Sequence, residues 1–274
     1  MMTGRRSFSA MMMIVPLMMA MAFSSAEGQA VSGSLHAWPV GQSAEFEITR
    51  GEVQTLEVPG REASPTSSST TMKVTVTSIG SRRFKLLFTG ANTTSTALDV
   101  APLIGLECQV TLDERGLITE LSGTEGNAFV EGRGGDDLFR EDLQLLFLYL
   151  PESGLVQDAE WDRSHSLTAD QGGFEMERRF EETFHCVEEA TFNGTLSMKV
   201  SQKSDTRFDG SGDQSGTEMV IELAGVIESD IHVDLETGRL LHLKGSGRLD
   251  GFLIAQGMDI VMVLEVSIEI RKVG

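Results

Sequence analysis

The chain has 274 residues and a formal net charge of −19, with 40% hydrophobic and 23% charged residues. This hydrophobic content is enough for a folded core and argues against wholesale disorder. The acidic balance argues against nucleic-acid partners and against electrostatic docking on anionic lipid, because both need clustered Lys and Arg. The composition does not exclude binding of apolar or cationic ligands.

The first residues have the pattern of a signal peptide. Arg5 and Arg6 precede an uncharged apolar run at 10–23, and small residues follow up to Ala26. This order predicts a signal peptide over residues 1–26 with cleavage after Ala26. The run is shorter than the roughly 20 residues that a membrane span needs, although an uncleaved anchor is the alternative. We therefore expect an exported protein, periplasmic or extracellular, with no transmembrane segment after cleavage. Ordinary secretion is favoured over twin-arginine export.

Residues 27–135 predict a first β unit. Residues 70–79 alternate strictly between apolar and polar side chains, which is typical of a half-buried strand. The run at 59–69 is rich in Ser, Thr and Pro and predicts a flexible hairpin loop. The tight-turn sequence at 113–116 predicts a hairpin between its flanking apolar segments.

The period of the apolar residues changes to a helical one in the connecting segment 136–151. Asp136 and Asp137 lie in the first turn, where the helix dipole favours acids, and Pro151 marks the end. We predict one amphipathic helix over 137–149. One interpretation of the helix is a lid, which would place four of its residues against an apolar ligand. Ordinary packing of helix on sheet is the other interpretation and is favoured. The four candidate lining residues are Leu143, Leu146, Phe147 and Leu150.

Residues 152–274 predict a second β unit. Alternation resumes after Trp161, and residues 209–216 predict a polar hairpin tip. Segments 231–233 and 239–243 predict a further hairpin.

Two pieces of the first unit recur in the second. The frame of 116–123 matches 238–245, and 40–46 resembles 156–161 at a similar separation. Two matches in the same order favour duplication. We therefore predict a mainly β chain, all-β to α+β. It would consist of two duplicated curved antiparallel sheets, or half-barrels, joined by one amphipathic helix.

A short motif follows the helix, with Pro151, Val156, Asp158 and Trp161 in the order Pro-x4-Val-x-Asp-x-x-Trp. Together with the signal peptide and the repeated hairpins, it resembles an uncharacterised family of exported bacterial β-rich proteins, a domain of unknown function. That resemblance covers most of the mature chain and implies no catalytic residues. The overall plan is similar to half-barrel lipoprotein carriers, in which a curved sheet holds acyl chains against helices.

Motifs for catalysis, cofactors and metals are not found in the sequence. The five histidines do not stand at metal-ligand spacing, and no G-x-S-x-G elbow, P-loop or dinucleotide fingerprint occurs. We therefore assign no catalytic, cofactor-binding or metal residues. Cys108 and Cys186 fall in different units, so a disulfide between them would join the two halves after export, and two separate buried thiols are the alternative.

These observations favour a non-enzymatic envelope protein that binds lipid or another apolar ligand, or an envelope protein partner, on its curved sheet. The alternative is a structural or protein-interaction module without a ligand. An exported hydrolase ranks third because the nucleophile motifs are missing.

Overall fold

The computed structural model describes residues 38–152, 154–170, 173–214 and 217–273. The predicted signal peptide, 1–26, lies outside these residues. The described residues form one antiparallel sheet of eleven strands. The strands are β1 (Ser43–Glu57), β2 (Ser64–Gly80), β3 (Arg83–Thr93), β4 (Glu107–Leu112), β5 (Ile118–Ser122), β6 (Glu160–Asp170), β7 (Phe174–Phe192), β8 (Thr195–Gln214), β9 (Thr217–Asp234), β10 (Leu240–Ala255) and β11 (Met258–Lys272).

The sheet consists of two meanders that meet at its centre. Its strand order is β5-β4-β3-β2-β1-β11-β10-β9-β8-β7-β6, so the first and last strands pair with each other. The mainly β, curved antiparallel architecture predicted from the sequence is confirmed. Both predicted units contribute to one continuous sheet, because β1 and β11 pair over twelve residues from Phe46 to Glu57. The duplication itself stays a prediction.

One face of the sheet, called here the inner face, packs against the helical segment. Side chains alternate along a strand and antiparallel partners share a face, so each row of paired residues lies on one side. Phe46 and Ile48 of β1 belong to the inner face and are buried, as are Phe84, Leu86 and Phe88 of β3.

Glycine permits close approach between β9 and β10 on the inner face. A Cβ atom at Gly247 would lie 2.4 Å from the carbonyl oxygen of Val226, and one at Gly251 would lie 1.9 Å from that of Glu222. Any larger residue would push these strands apart, so the two glycines allow the sheet to curve tightly here.

The connection between the meanders contains two short helices, where the sequence predicted one. They are α1 (Ala128–Gly132) and α2 (Asp136–Gln144), between β5 and β6, whereas a 3-10 turn (Ala101–Leu103) lies earlier, between β3 and β4. The side chain of Asn127 accepts hydrogen bonds from the backbone N–H groups of Phe129 and Val130 and so caps α1.

The predicted helix over 137–149 is too long, because α2 ends at Gln144. The Gln144 side chain accepts a hydrogen bond from the Ile118 N–H and donates to the carbonyls of Gly116 and Phe147. These bonds tie the end of α2 to the β4–β5 hairpin and direct the chain toward β5. Residues 145–150 then run as a buried non-helical stretch.

Two predicted loops are largely strand. β2 already begins at Ser64, so the loop predicted at 59–69 shrinks to residues 58–63. β1 offers a backbone partner to each residue from Ser64 onward, and the Ser- and Thr-rich run completes the ladder. Likewise, β8 extends through most of the tip predicted at 209–216 because β7 and β9 pair with it on both sides. The hairpins predicted around 113–116 and 231–243 are present.

Candidate functional site

The four candidate lining residues belong to an apolar base, defined here as α2 with residues 145–150 and the inner-face side chains beneath them. All four are at most 2% exposed. The ring centroid of Phe147 lies 5.0 Å from that of Phe84, and the ring of Phe139 lies 5.9 Å from that of Phe88. The leucines and phenylalanines of this segment therefore fill the inner face of β3 with the protein's own side chains.

Both cysteines are buried free thiols, which differs from the disulfide considered from the sequence. Cys108 lies on β4 and Cys186 on β7, with seven strands between them in the sheet order. Burial raises the pKa of each thiol to about 12, so neither forms a reactive thiolate at neutral pH.

Further along the strands, the inner face becomes polar. The alternation that places Phe46 and Ile48 inside continues with Arg50 and Glu52, so charged residues follow apolar ones on the same face. Other strands, α2 and the residue after α1 contribute polar side chains to the same region of this face. The set is called here the inner polar belt and comprises Arg50, Glu52, Arg133, Glu141, Asp142, Arg163, His165, Arg178, Glu182, Gln202 and Ser229.

An ion pair links β1 to α2. The Arg50 Nη1 atom donates to Asp142 Oδ1 at 2.6 Å, and the side chains are only 11% and 7% exposed. The Nε and Nη2 atoms of Arg50 are buried without an acceptor among the described residues. Arg50 therefore holds the segment with one of its donors and leaves two unused.

A second group in the belt combines polar residues with charged residues of both signs. His165 Nε2 lies 3.4 Å from a Glu141 carboxylate oxygen, and Gln202 donates to Glu182 at 3.0 Å. Arg163 is paired with Glu182 in the strand register. Burial lowers the pKa of Arg163, and the charges of Glu141 and Glu182 oppose that shift.

A third group contains two deeply buried arginines, Arg133 and Arg178. Burial lowers the pKa of both Arg133 and Arg178 to about 10. The Arg133 guanidinium lies 5.0 Å from the ring centre of Phe129, and that of Arg178 lies 5.5 Å from the ring centre of Phe208. Burial also raises the pKa of Glu52, although the nearby arginines oppose the shift.

Sequence reasoning missed this belt because charged residues in a strand are normally assigned to the wet face. The sequence does show which charged residues alternate in step with apolar ones and so share their face of the strand. Arg50 and Glu52 stand at even positions, in phase with the apolar Phe46 and Ile48, and Arg178 and Glu182 stand in phase with Phe180. In-phase charges on a strand predict buried charges, and buried charges concentrate at functional sites.

The outer face of β7–β11 carries a separate groove of about 1110 Å³. The Phe192 ring stacks on His232 and His242, with centroids 4.5 and 5.2 Å away, and His242 lies 3.2 Å from Glu269. Burial lowers the pKa of His232, as do the charges of His242 and Lys199. Among the described residues no group of three or more His, Cys, Asp or Glu side chains has the geometry of a metal site.

Comparison with known proteins supports the fold. No family model matches the chain, and no curated protein matches its sequence. Lipovitellin, solved in a study of lipid–protein interactions, is similar over 86% of this chain at 13% identity and a TM-score of 0.50. The chain spans about a quarter of lipovitellin, 25% of its length. Neisserial surface protein A matches over 85% of this chain and 99% of its own at 4% identity and a TM-score of 0.25. An outer membrane channel from Pseudomonas putida F1 matches over 89% and 100% at 10% identity and a TM-score of 0.21.

At such identities the likeness to lipovitellin shows a shared fold, and the resemblance to an exported β-rich family stays a prediction. Within the described residues, we find no helix with the length and hydropathy needed to cross a membrane.

Proposed function

We propose that the protein is an exported, non-enzymatic binding protein that takes up an apolar ligand, a lipid acyl chain, on the inner face of its curved sheet. One observation supports this function above the others. Among the described residues, the apolar inner face of β3 and β1 is covered by a connecting segment, residues 136–151, and by no second sheet. An acyl chain bound on this face would take the place of the segment, so uptake requires the segment to move.

The ends of the segment allow such movement. Gly134 and Gly135 precede α2 with φ of 100° and 88°, and Gly154 follows Pro151 with φ of 77°. Glycines at these positions tolerate large backbone rotations that other residues resist. The buried Arg50–Asp142 pair costs less to break than an apolar contact of similar size, because both charges regain water when the segment leaves.

The comparison with lipovitellin supports a lipid as the ligand class. That protein was studied for its lipid–protein interactions and shares the fold over most of this chain. The inner face of the sheet would supply the apolar surface, and the segment 136–151 would act as the displaceable cover.

Binding of a neutral single-chain amphiphile tests the proposal directly. Purified protein is stripped of lipid by unfolding, refolded, and mixed with hexadecanol, and adducts are counted by native mass spectrometry. We expect a one-to-one adduct, together with faster amide hydrogen exchange in 136–150 and unchanged exchange in β10 and β11. A natively folded protein that forms no adduct would contradict the proposal and favour the structural or protein-interaction module.

A pair of double variants tests whether the segment is the cover. R50M/D142L replaces the buried ion pair with apolar side chains that hold the segment more firmly, so hexadecanol uptake should slow. R248M/D250L changes an ion pair of similar length, 2.7 Å, whose side chains are 57% and 58% exposed on β10. Uptake should be unchanged in this control. Equal uptake rates in both double variants would contradict the role of the segment.

A further inference from the structure

The inner polar belt holds four arginines and four carboxylates in an otherwise acidic chain, and three of the arginines gather in one cluster. Arg50, Arg133 and Arg178 act electrostatically on one another and on Glu52 and Asp142. Three guanidinium groups therefore face two carboxylates in one buried cluster. A buried charged group is unfavourable unless its hydrogen-bonding capacity is satisfied.

The same cluster has hydrogen-bond donors without acceptors. Besides the two unpaired guanidinium nitrogens of Arg50, the Nε atom of Arg133 is buried with no acceptor in the part of the chain that the structure describes. Native proteins pair nearly all such groups, so these donors point to an acceptor from outside the chain.

Apolar residues lie on both sides of Arg50 and Glu52 along the inner face. Toward the apolar base lie Ile48 and Ile270, which pair with each other in the register. In the opposite direction lie Phe208, Leu223 and Met262, all buried, in the same row of paired residues as Arg178. A charged site between two apolar surfaces fits a molecule with an anionic head and a long apolar chain better than it fits a free ion.

We propose that the inner polar belt binds the anionic head group of an amphiphile, a carboxylate or a phosphate, through the guanidinium groups of Arg50 and Arg133. Arg178 adds a third positive charge, and the acyl chain lies on the neighbouring apolar residues. The head group replaces the Asp142 carboxylate at Arg50, so binding and movement of the segment 136–151 are coupled. This inference rests on the proposed function and specifies its ligand class.

The affinities of four probes at pH 8 and constant ionic strength test this assignment: hexadecanoate, hexadecyl phosphate, hexadecanol and inorganic phosphate. We expect both anionic amphiphiles to bind roughly tenfold or more tightly than hexadecanol, since charge-assisted hydrogen bonds are the stronger kind. Equal affinity for hexadecanoate and hexadecanol would overturn the anionic site and leave the proposed function intact. If none of the three amphiphiles binds, the proposed function itself fails.

Inorganic phosphate separates a head-group site from a site for a free anion. It should bind far more weakly than hexadecyl phosphate because it gains nothing from the apolar surface. Equal affinity of these two probes would overturn the assignment to an amphiphile.

Three arginine variants locate the site. Arg133→Met removes a donor that is not part of the Arg50–Asp142 pair, so the preference for hexadecanoate over hexadecanol should fall close to one while hexadecanol affinity stays constant. Arg133→Lys retains the charge and should keep part of the preference. Arg178→Met serves as the second variant, and R248M on the outer face serves as the unaffected control. A wild-type preference in a natively folded R133M or R178M protein would overturn the proposal.

Discussion

The apolar base and the inner polar belt share one face of one sheet, and α2 contributes to both through adjacent residues. Leu143 is buried in the base, and Asp142 reaches Arg50 in the belt. In the base, side chains find partners within the chain, as the Phe147 and Phe84 rings do. In the belt, two buried guanidinium nitrogens of Arg50 have no acceptor among the described residues. The base therefore stabilises the fold, whereas the belt is where an added molecule gains most.

Truncating Phe147 tests the base and should give the largest loss of stability. Phe147→Ala leaves a cavity beside Phe84, and we expect the free energy of unfolding to fall by about 3–5 kcal/mol. Leu196→Ala changes a side chain that is 57% exposed and should alter it by less than about 0.5 kcal/mol. Urea unfolding followed by fluorescence measures both. Equal changes in the free energy of unfolding for the two variants would show that Phe147 does not pack against Phe84.

Breaking the ion pair tests the contact between base and belt. Asp142→Ala leaves the Arg50 charge buried without its partner, so we expect a loss of about 3 kcal/mol. The double variant R50M/D142L removes both charges and should unfold at the wild-type urea concentration or above it. If the double variant were as unstable as the single one, the pair would stabilise the fold in its own right, and the ease of displacing the segment would be refuted.

Gln144 marks the end of α2, and its replacement should have a smaller, local effect. Gln144→Leu leaves the Ile118 N–H and the carbonyls of Gly116 and Phe147 without partners, so we expect a loss of about 1–3 kcal/mol. Amide exchange at Ile118 should accelerate more than exchange in β10. Unchanged protection of Ile118 would contradict the assigned hydrogen bond.

Much of the fold follows from local pattern. Strict alternation at 70–79 predicted the course of β2, and turn residues at 113–116 predicted the β4–β5 hairpin, since both signals act within a few residues. The end of α2 did not follow, because helical spacing of Leu146, Phe147 and Leu150 cannot show that Gln144 bonds to β5.

The site depends on contacts that are distant in the sequence. Arg50 and Asp142 lie 92 residues apart, and the pairing of β1 with β11 joins the two ends of the chain. The alternation alone indicated that Arg50 and Glu52 share a face with Phe46. It did not indicate that α2 would cover that face, because tertiary packing decides which face is buried.

Glu52 gives the finest test of the belt, through the pH dependence of stability. Burial raises the pKa of Glu52 above its ordinary value of 4.5, so the folded state holds this proton where the unfolded state has released it. The contribution of Glu52 to the free energy of unfolding is therefore fully present below pH 4.5. It is lost as the pH rises through the folded-state pKa of this group. Glu52→Gln cannot ionise and avoids that loss. Relative to wild type, its urea midpoint should rise between pH 4.5 and pH 8, whereas E265Q, on the outer face of β11, should follow wild type. A constant difference between E52Q and wild type would mean that Glu52 is hydrated, and the belt would then not be a dry site in which an anionic head group replaces Asp142.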